Sequence, residues 1–247
     1  MGIDPQLWLL AGAVFLLAGV VKGMVGMGLP TIAMGLLSLV VPPAEAAALL
    51  IVPSLVTNLW QLFTGPSFGV LMVRLAGMMA GVVVGTLATA GILARAQAGS
   101  ATAALGVALI AYAAVGLSGA KLSLPRWCEP WLSPLVGLAT GLVTGATGVF
   151  VLPAVPYLQA IGLEKDELVQ ALGLSFTVST LALAAGLLRN SIPSVSAGLS
   201  LLSLVPALAG MALGQAIRLR IEAGTFRKVF FAGLLALGAW LVLRPIA

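Results

Sequence analysis

Lys22 stands inside a long apolar run, in "KGMVGMGLP" (22–30), where three glycines and a proline would weaken any helix. A cation at membrane depth is costly, so such a residue is a functional candidate by default: it could pair with an anion or change protonation during transport. The bland alternative is a lysine that snorkels to the interface from the end of its segment. The interruption returns once. Gly19, Gly23 and Gly26 recur 122 residues later as Gly141, Gly145 and Gly148, within "GLVTGATG" (141–148). A half-helix starting after Gly28 would turn unpaired N–H groups and a partial positive charge toward the membrane interior, which suits an oxyanion. Gly148 offers the same, and two such ends would make a cationic cradle that needs neither metal nor cofactor. The candidate substrate-binding residues are Lys22, Gly23, Gly26, Gly28 and Thr31 in the first break and Thr144, Gly145, Thr147 and Gly148 in the second. Glycines at this spacing also serve plain helix packing, and that alternative stays open.

Two further segments carry polar stripes. Ser54, Thr57, Asn58 and Gln61 follow one another at intervals of three and four, hence on one helical face. Downstream stand Gln170, Ser175, Thr177, Ser179 and Thr180, with Asn58 matching Thr180 and Thr57 matching Ser179 at the same offset of 122. Neutral donors hold an oxyanion without trapping it, which adds Asn58, Gln61, Ser175, Ser179 and Thr180 to the binding set. Interhelical hydrogen bonding, worth about 0.6 kcal/mol per contact in membranes, explains the serines and threonines equally well, but Asn58 and Gln61 less well. Glu45 and Glu167 each open a predicted helix, where a carboxylate favours the dipole or a cap; the alternative role is proton coupling. The methionines at positions 24, 27, 34, 72, 78 and 79 read as packing material, since no paired Cys or His accompanies them.

Composition narrows the chemistry further. Of 247 residues, 61% are hydrophobic and 8% charged, far below the quarter or so of charged residues in soluble domains. There is no histidine, which removes His-based metal sites, proton relays and Ser-His catalysis together. Cys128 is the single cysteine, so no intrachain disulfide forms. A P-loop of the type GxxxxGK[ST] is absent, so an ion gradient or the substrate gradient must drive transport. The basic residues stand singly between apolar runs, where they orient helices; a nucleic-acid partner is not expected. The start, "MGIDPQLW", lacks the basic region of a signal peptide, so the first apolar run is expected to be retained.

The elements that must position these residues are all helices. The runs predict an N-terminal repeat over 1–120, with a broken helix 5–41 and helices 43–64, 70–94 and 100–119. A loop at 121–130 precedes a C-terminal repeat over 131–247, with a broken helix 131–161 and helices 166–188, 195–217 and 226–243. The match of "RAQAGS" (95–100) to "RIEAGT" (220–225) supports duplication. A straight helix over 5–41 would run roughly 55 Å, beyond one crossing of ~30 Å, so each broken helix is read as turning back inside the membrane, where protein or a watery cavity must cover the open backbone. With returning breaks and the N-terminus outside, Arg74, Lys121, Arg126, Lys165, Arg218, Arg220, Arg227 and Lys228 lie inside and Arg95, Arg189 and Arg244 outside. Breaks that cross once give a nearly even split. The positive-inside rule favours the return, which makes the repeats inverted.

At these motifs the chain resembles a known family. "GVVKGMVGMGLPTIAMGLLSLVVPPAEAAA" (19–48) and "GLVTGATGVFVLPAVPYLQAIGLEKDELVQALGLSFTVSTLAL" (141–183) are similar to the first-half and second-half signatures of the TauE/SafE family, also called the 4-toluene sulfonate uptake permease family. The resemblance implies a multi-pass permease of the bacterial inner membrane for sulfite, sulfonates or related organosulfur anions. Family members often carry consecutive glycines where this chain has "GMGLP", and more glycine where it has "TGATGVF". A differently shaped binding loop, and so a different anion, follows from that departure. The expected partners are a small anion, H+ or Na+ as coupling ion, and membrane lipid, with a homodimer left open. A passive anion channel and a carrier of a non-sulfur organic anion are the alternatives.

Overall fold

The computed structural model describes residues 5–95, 98–119, 123–190, 197–218 and 223–244. Every regular element among them is helical. The first half comprises α1 (Pro5–Val25), α2 (Leu29–Leu37), α3 (Pro43–Phe63), α4 (Phe68–Arg74), α5 (Ala76–Arg95) and α6 (Ala98–Ser118). After a single 3-10 turn at Arg126–Cys128 come α7 (Glu129–Thr147), α8 (Ala154–Ala160), α9 (Lys165–Arg189), α10 (Ala197–Leu202), α11 (Leu204–Arg218) and α12 (Ala223–Leu243). Among the described residues, seven stretches are long and apolar enough to cross a membrane. Lys121 and Arg220 fall outside the described residues, as do Gln97 and Glu222.

Local chemistry explains the boundaries. α1 stops where Gly26 and Gly28 take left-handed backbone angles, φ 79° and 108°, which a side chain resists. α2 restarts with Pro30 in its first turn, where no N–H is needed. It ends at Leu37, not at 41, because Ser38–Val41 form turns ahead of Pro42 and Pro43. Pro53 inside α3 cannot donate to the Leu49 carbonyl, and the Ser200 hydroxyl of α10 takes that place at 2.8 Å. The expected helices 70–94 and 195–217 are each divided, into α4–α5 at Leu75 and α10–α11 at Ser203.

Four helix pairs build the bundle: α1 with α11, α5 with α7, α3 with α9, and α6 with α12. Along α5 and α7 the contacts rise together: Gly81 meets Pro134 and Leu138, and Gly145 meets Thr86 and Ala90, so this pair is parallel. α1 and α11 are parallel too, with Gly19 on Ala207 and Gly23 on Met211 and Gln215. In α3 and α9 one number falls as the other rises, Asn58 meeting Thr180 and Gln61 meeting Val169; this pair is antiparallel. So is α6 with α12, where Gly106 meets Gly238 and Gly116 meets Phe231.

The second broken helix turns back on itself. Arg74 donates to both oxygens of Glu129, the first residue of α7, at 2.8 and 2.7 Å, and to the carbonyl of Ile161, just past α8, at 2.9 Å. The start of α7 and the end of α8 therefore lie at one end of the bundle. The bond to Glu129 holds the Arg74 guanidinium even more firmly protonated than an ordinary arginine. Arg74, Arg126, Lys165, Arg218, Arg227 and Lys228 gather at this end. Arg95, Arg189 and Arg244 stand at the other, where Arg244 donates to the Leu39 carbonyl and Asn190 approaches Gly91.

Candidate functional site

The site forms where α1 meets the crossing of α3 and α9. Lys22 is 4% exposed, and its ammonium donates to Oδ1 of Asn58. The Asn58 amide nitrogen faces Oγ1 of Thr180 at 3.5 Å, and the Thr180 hydroxyl donates in turn to the Phe176 carbonyl at 2.6 Å. No carboxylate among the described residues pairs with Lys22; the one described ion pair is Arg74–Glu129. A buried charge without a counter-charge is expensive.

One turn along α3, Gln61 braces the first break. Its amide nitrogen donates to the carbonyls of Gly26 and Val169, both at 2.8 Å. Gln170 does the reverse from α9, donating to Leu62 and Gly65 at 2.8 and 3.0 Å and accepting from the Ser67 N–H at 2.8 Å. Along this crossing Ser54, Ser175 and Ser179 are buried, as is Thr31 on α2, and their hydroxyls have no partner among the described residues. Thr31 lies in the first turn of α2, beside the open N–H groups of that turn. Free hydroxyls and a helix start are donors, the complement an oxyanion needs.

Other predicted residues sit elsewhere. Gly23 and Gly145 are contact points of the parallel pairs: a Cβ on Gly23 would come within 2.2 Å of the Met211 carbonyl, and one on Gly145 within 2.4 Å of the Thr86 carbonyl. Their role is the packing alternative, because backbone rather than cavity fills the space. Gly148 ends α7 with φ 72° and faces Met34, but the next helix begins only at Ala154, so no helix start stands at Gly148. The Thr147 hydroxyl donates to Val143 at 2.7 Å and accepts from the Val149 N–H at 3.2 Å, while Thr144 donates to Thr140 at 2.7 Å. Both close the end of α7 on itself. Glu45 is exposed in the first turn of α3. Glu167 caps α9 and accepts from the Ser67 hydroxyl at 3.0 Å. Neither carboxylate reaches the Lys22 network.

Two features escaped the sequence reading. The Arg74–Glu129 latch joins residues 55 apart with no motif to announce it. A cavity of about 700 Å3 at the basic end is lined by Lys165, Arg218 and Arg227, residues that in sequence look like ordinary orienting charges at helix ends.

The described residues form an all-helical, multi-pass bundle with interrupted helices and a buried lysine at a polar helix crossing. The chain matches the family model described as "Sulfite exporter TauE/SafE" over residues 11–241, and it is a member of that family. No curated protein and no solved structure matches it.

Proposed function

We propose that this protein is a secondary transporter of the bacterial inner membrane that carries a sulfite, sulfonate or related organosulfur anion by alternating access around Lys22, Asn58 and Thr180. The observation that carries the reading is the Lys22–Asn58 contact: a buried ammonium held by a neutral amide, with no described carboxylate to neutralise it. An anion supplies the missing charge, and the amide and hydroxyl donors around it allow release. The coupling ion is H+ or Na+.

The packing supports inverted repeats. At the offsets of 122 and 125, α3 corresponds to α9, α6 to α12, α1 to α7 and α5 to α11. The first two pairs meet antiparallel, and the pairing of α1 with α11 has its counterpart in that of α7 with α5. A two-fold axis in the membrane plane relates helices in this way, and it runs where corresponding residues touch, at Asn58 and Thr180. Rocking of one half against the other about that contact exposes the site to each side alternately. The basic end then faces the cytoplasm.

Proteoliposomes test this. Labelled sulfite and benzenesulfonate are offered with and without the same anion inside. Saturable uptake stimulated by internal anion, and lost in Lys22→Met, is the expected result. Uptake that never saturates and shows no counterflow would make the protein a channel. Normal counterflow in Lys22→Met would remove the lysine from the site.

A further inference from the structure

We propose that the cavity at the basic end is a second anion site, a loading vestibule for an anion with an apolar body, separate from the Lys22 network. The inference rests on the reading of the chain as an anion transporter. Three helices bring cations to this one cavity: Lys165 opens α9, Arg218 ends α11, and Arg227 stands in the second turn of α12. Among the described residues lining it, none is acidic. The rest of the wall is mainly apolar and aromatic, with Met24, Met27, Tyr112 and Phe231 toward the glycine break. At about 700 Å3 the space is in the range that encloses an organic ligand. A bare oxyanion would satisfy the cations and leave most of the apolar wall wet.

Arg227 is the anchor. One of its terminal nitrogens donates to the Gly116 carbonyl at 3.0 Å, and its guanidinium lies 5.8 Å from the centre of the Phe231 ring. The guanidinium has five N–H donors, so most remain for a ligand. From there an unbroken series of contacts leads inward. Phe231 meets Tyr112 edge-on, with ring centres 5.1 Å apart, and the Tyr112 hydroxyl donates to the Met27 sulfur at 3.1 Å. Met27 lies between the two left-handed glycines of the break. Val169, whose carbonyl holds Gln61, lines the same cavity. An anion resting on Arg227 with its apolar part against Phe231 and Tyr112 therefore waits directly beneath the break, while Lys22 is not part of the cavity wall.

Equilibrium binding of labelled benzenesulfonate to the full chain in detergent tests the site, with sulfite and neutral benzenesulfonamide as competitors. Arg227→Gln is expected to weaken binding roughly tenfold or more, the usual loss for a charge-assisted hydrogen bond. Arg227→Lys restores part of it. Sulfite competes less well than unlabelled benzenesulfonate, and benzenesulfonamide hardly competes. Lys22→Met keeps the vestibule binding while losing transport. Wild-type affinity in an Arg227→Gln/Lys165→Gln variant, or equal competition by the neutral sulfonamide, would overturn the proposal. Binding that Lys22→Met abolishes and Arg227→Gln leaves intact would also overturn it, yet would sustain the central site. Vestibule binding together with undiminished transport by Lys22→Met would instead sink the central site alone.

Discussion

The amide nitrogen of Asn58 on α3 stands 3.5 Å from the hydroxyl oxygen of Thr180 on α9, across 122 positions of sequence. That interval is also the one separating Gly26 from Gly148. If the halves are inverted repeats, corresponding positions touch only beside the axis that relates them, and this contact marks that axis. Lys22 joins it from α1 alone, because the position matching Lys22 is Thr144, whose hydroxyl turns back to its own helix.

Asn58→Leu removes the donor at similar volume. If Asn58 binds the anion, its loss should raise the dissociation constant tenfold to hundredfold, the equivalent of ~1.5–3 kcal/mol for a hydrogen bond to a charged ligand. Thr180→Val in the same background should then add less than it does alone, since the two side chains share one network. A variant that melts lower yet binds its anion normally would make the pair helix glue.

Arg95 and Arg218 end the corresponding helices α5 and α11. Inverted halves put them on opposite faces of the membrane. Single cysteines at the two positions, in a Cys128→Ser background, should react with an impermeant maleimide from opposite sides of oriented vesicles. Labelling of both from one side would rule the inversion out. The neighbouring loop positions Gln97 and Glu222 lie outside the described residues.

The glycines divide into two groups with different fates. Gly23→Leu and Gly145→Leu push a side chain into the backbone of α11 and α5 and should cost assembled protein, seen as lost monodisperse material after extraction. At Gly26 the nearest atoms to an added Cβ lie 3.7 and 3.8 Å away, so there is room. Gly26→Ala should therefore keep the protein in the membrane, lower its stability by about 1–2 kcal/mol through the left-handed backbone, and impair transport. A wild-type melting temperature would show that the break tolerates side chains.

Glu129 is 8% exposed and holds Arg74, which also holds the end of α8. Glu129→Ala leaves a half-buried guanidinium with only a carbonyl partner and should lower stability by ~1–3 kcal/mol. Partial recovery in Arg74→Met/Glu129→Ala would identify the unpaired charge as the cause. Equal melting of wild type and Glu129→Ala would remove the latch from the stability of the re-entrant hairpin.

Much of this protein could be read from its residues. Apolar runs without charge can only be buried or membrane-spanning, so the helical multi-pass class followed directly, and the repeat of Gly19, Gly23 and Gly26 pointed to two related breaks. The polar stripe on 43–64 lies together on one buried face of α3, because spacing at three and four survives folding unchanged. Which glycine packs and which one turns the chain was not legible. Gly23 and Gly26 are the same residue type three positions apart, and only the arrival of α11 against Gly23 and the left-handed backbone at Gly26 separate them. The second half-helix starts at Ala154 and not at Gly148, because Val149, Phe150 and Val151 first run as non-helical chain through the core, which no local propensity encodes. Lys22 looked equally able to snorkel or to stay inside until Asn58 was seen to hold it. The vestibule is purely tertiary. Lys165, Arg218 and Arg227 are scattered helix-end charges in sequence, and only the fold brings the start of α9, the end of α11 and the first turns of α12 to the wall of one cavity.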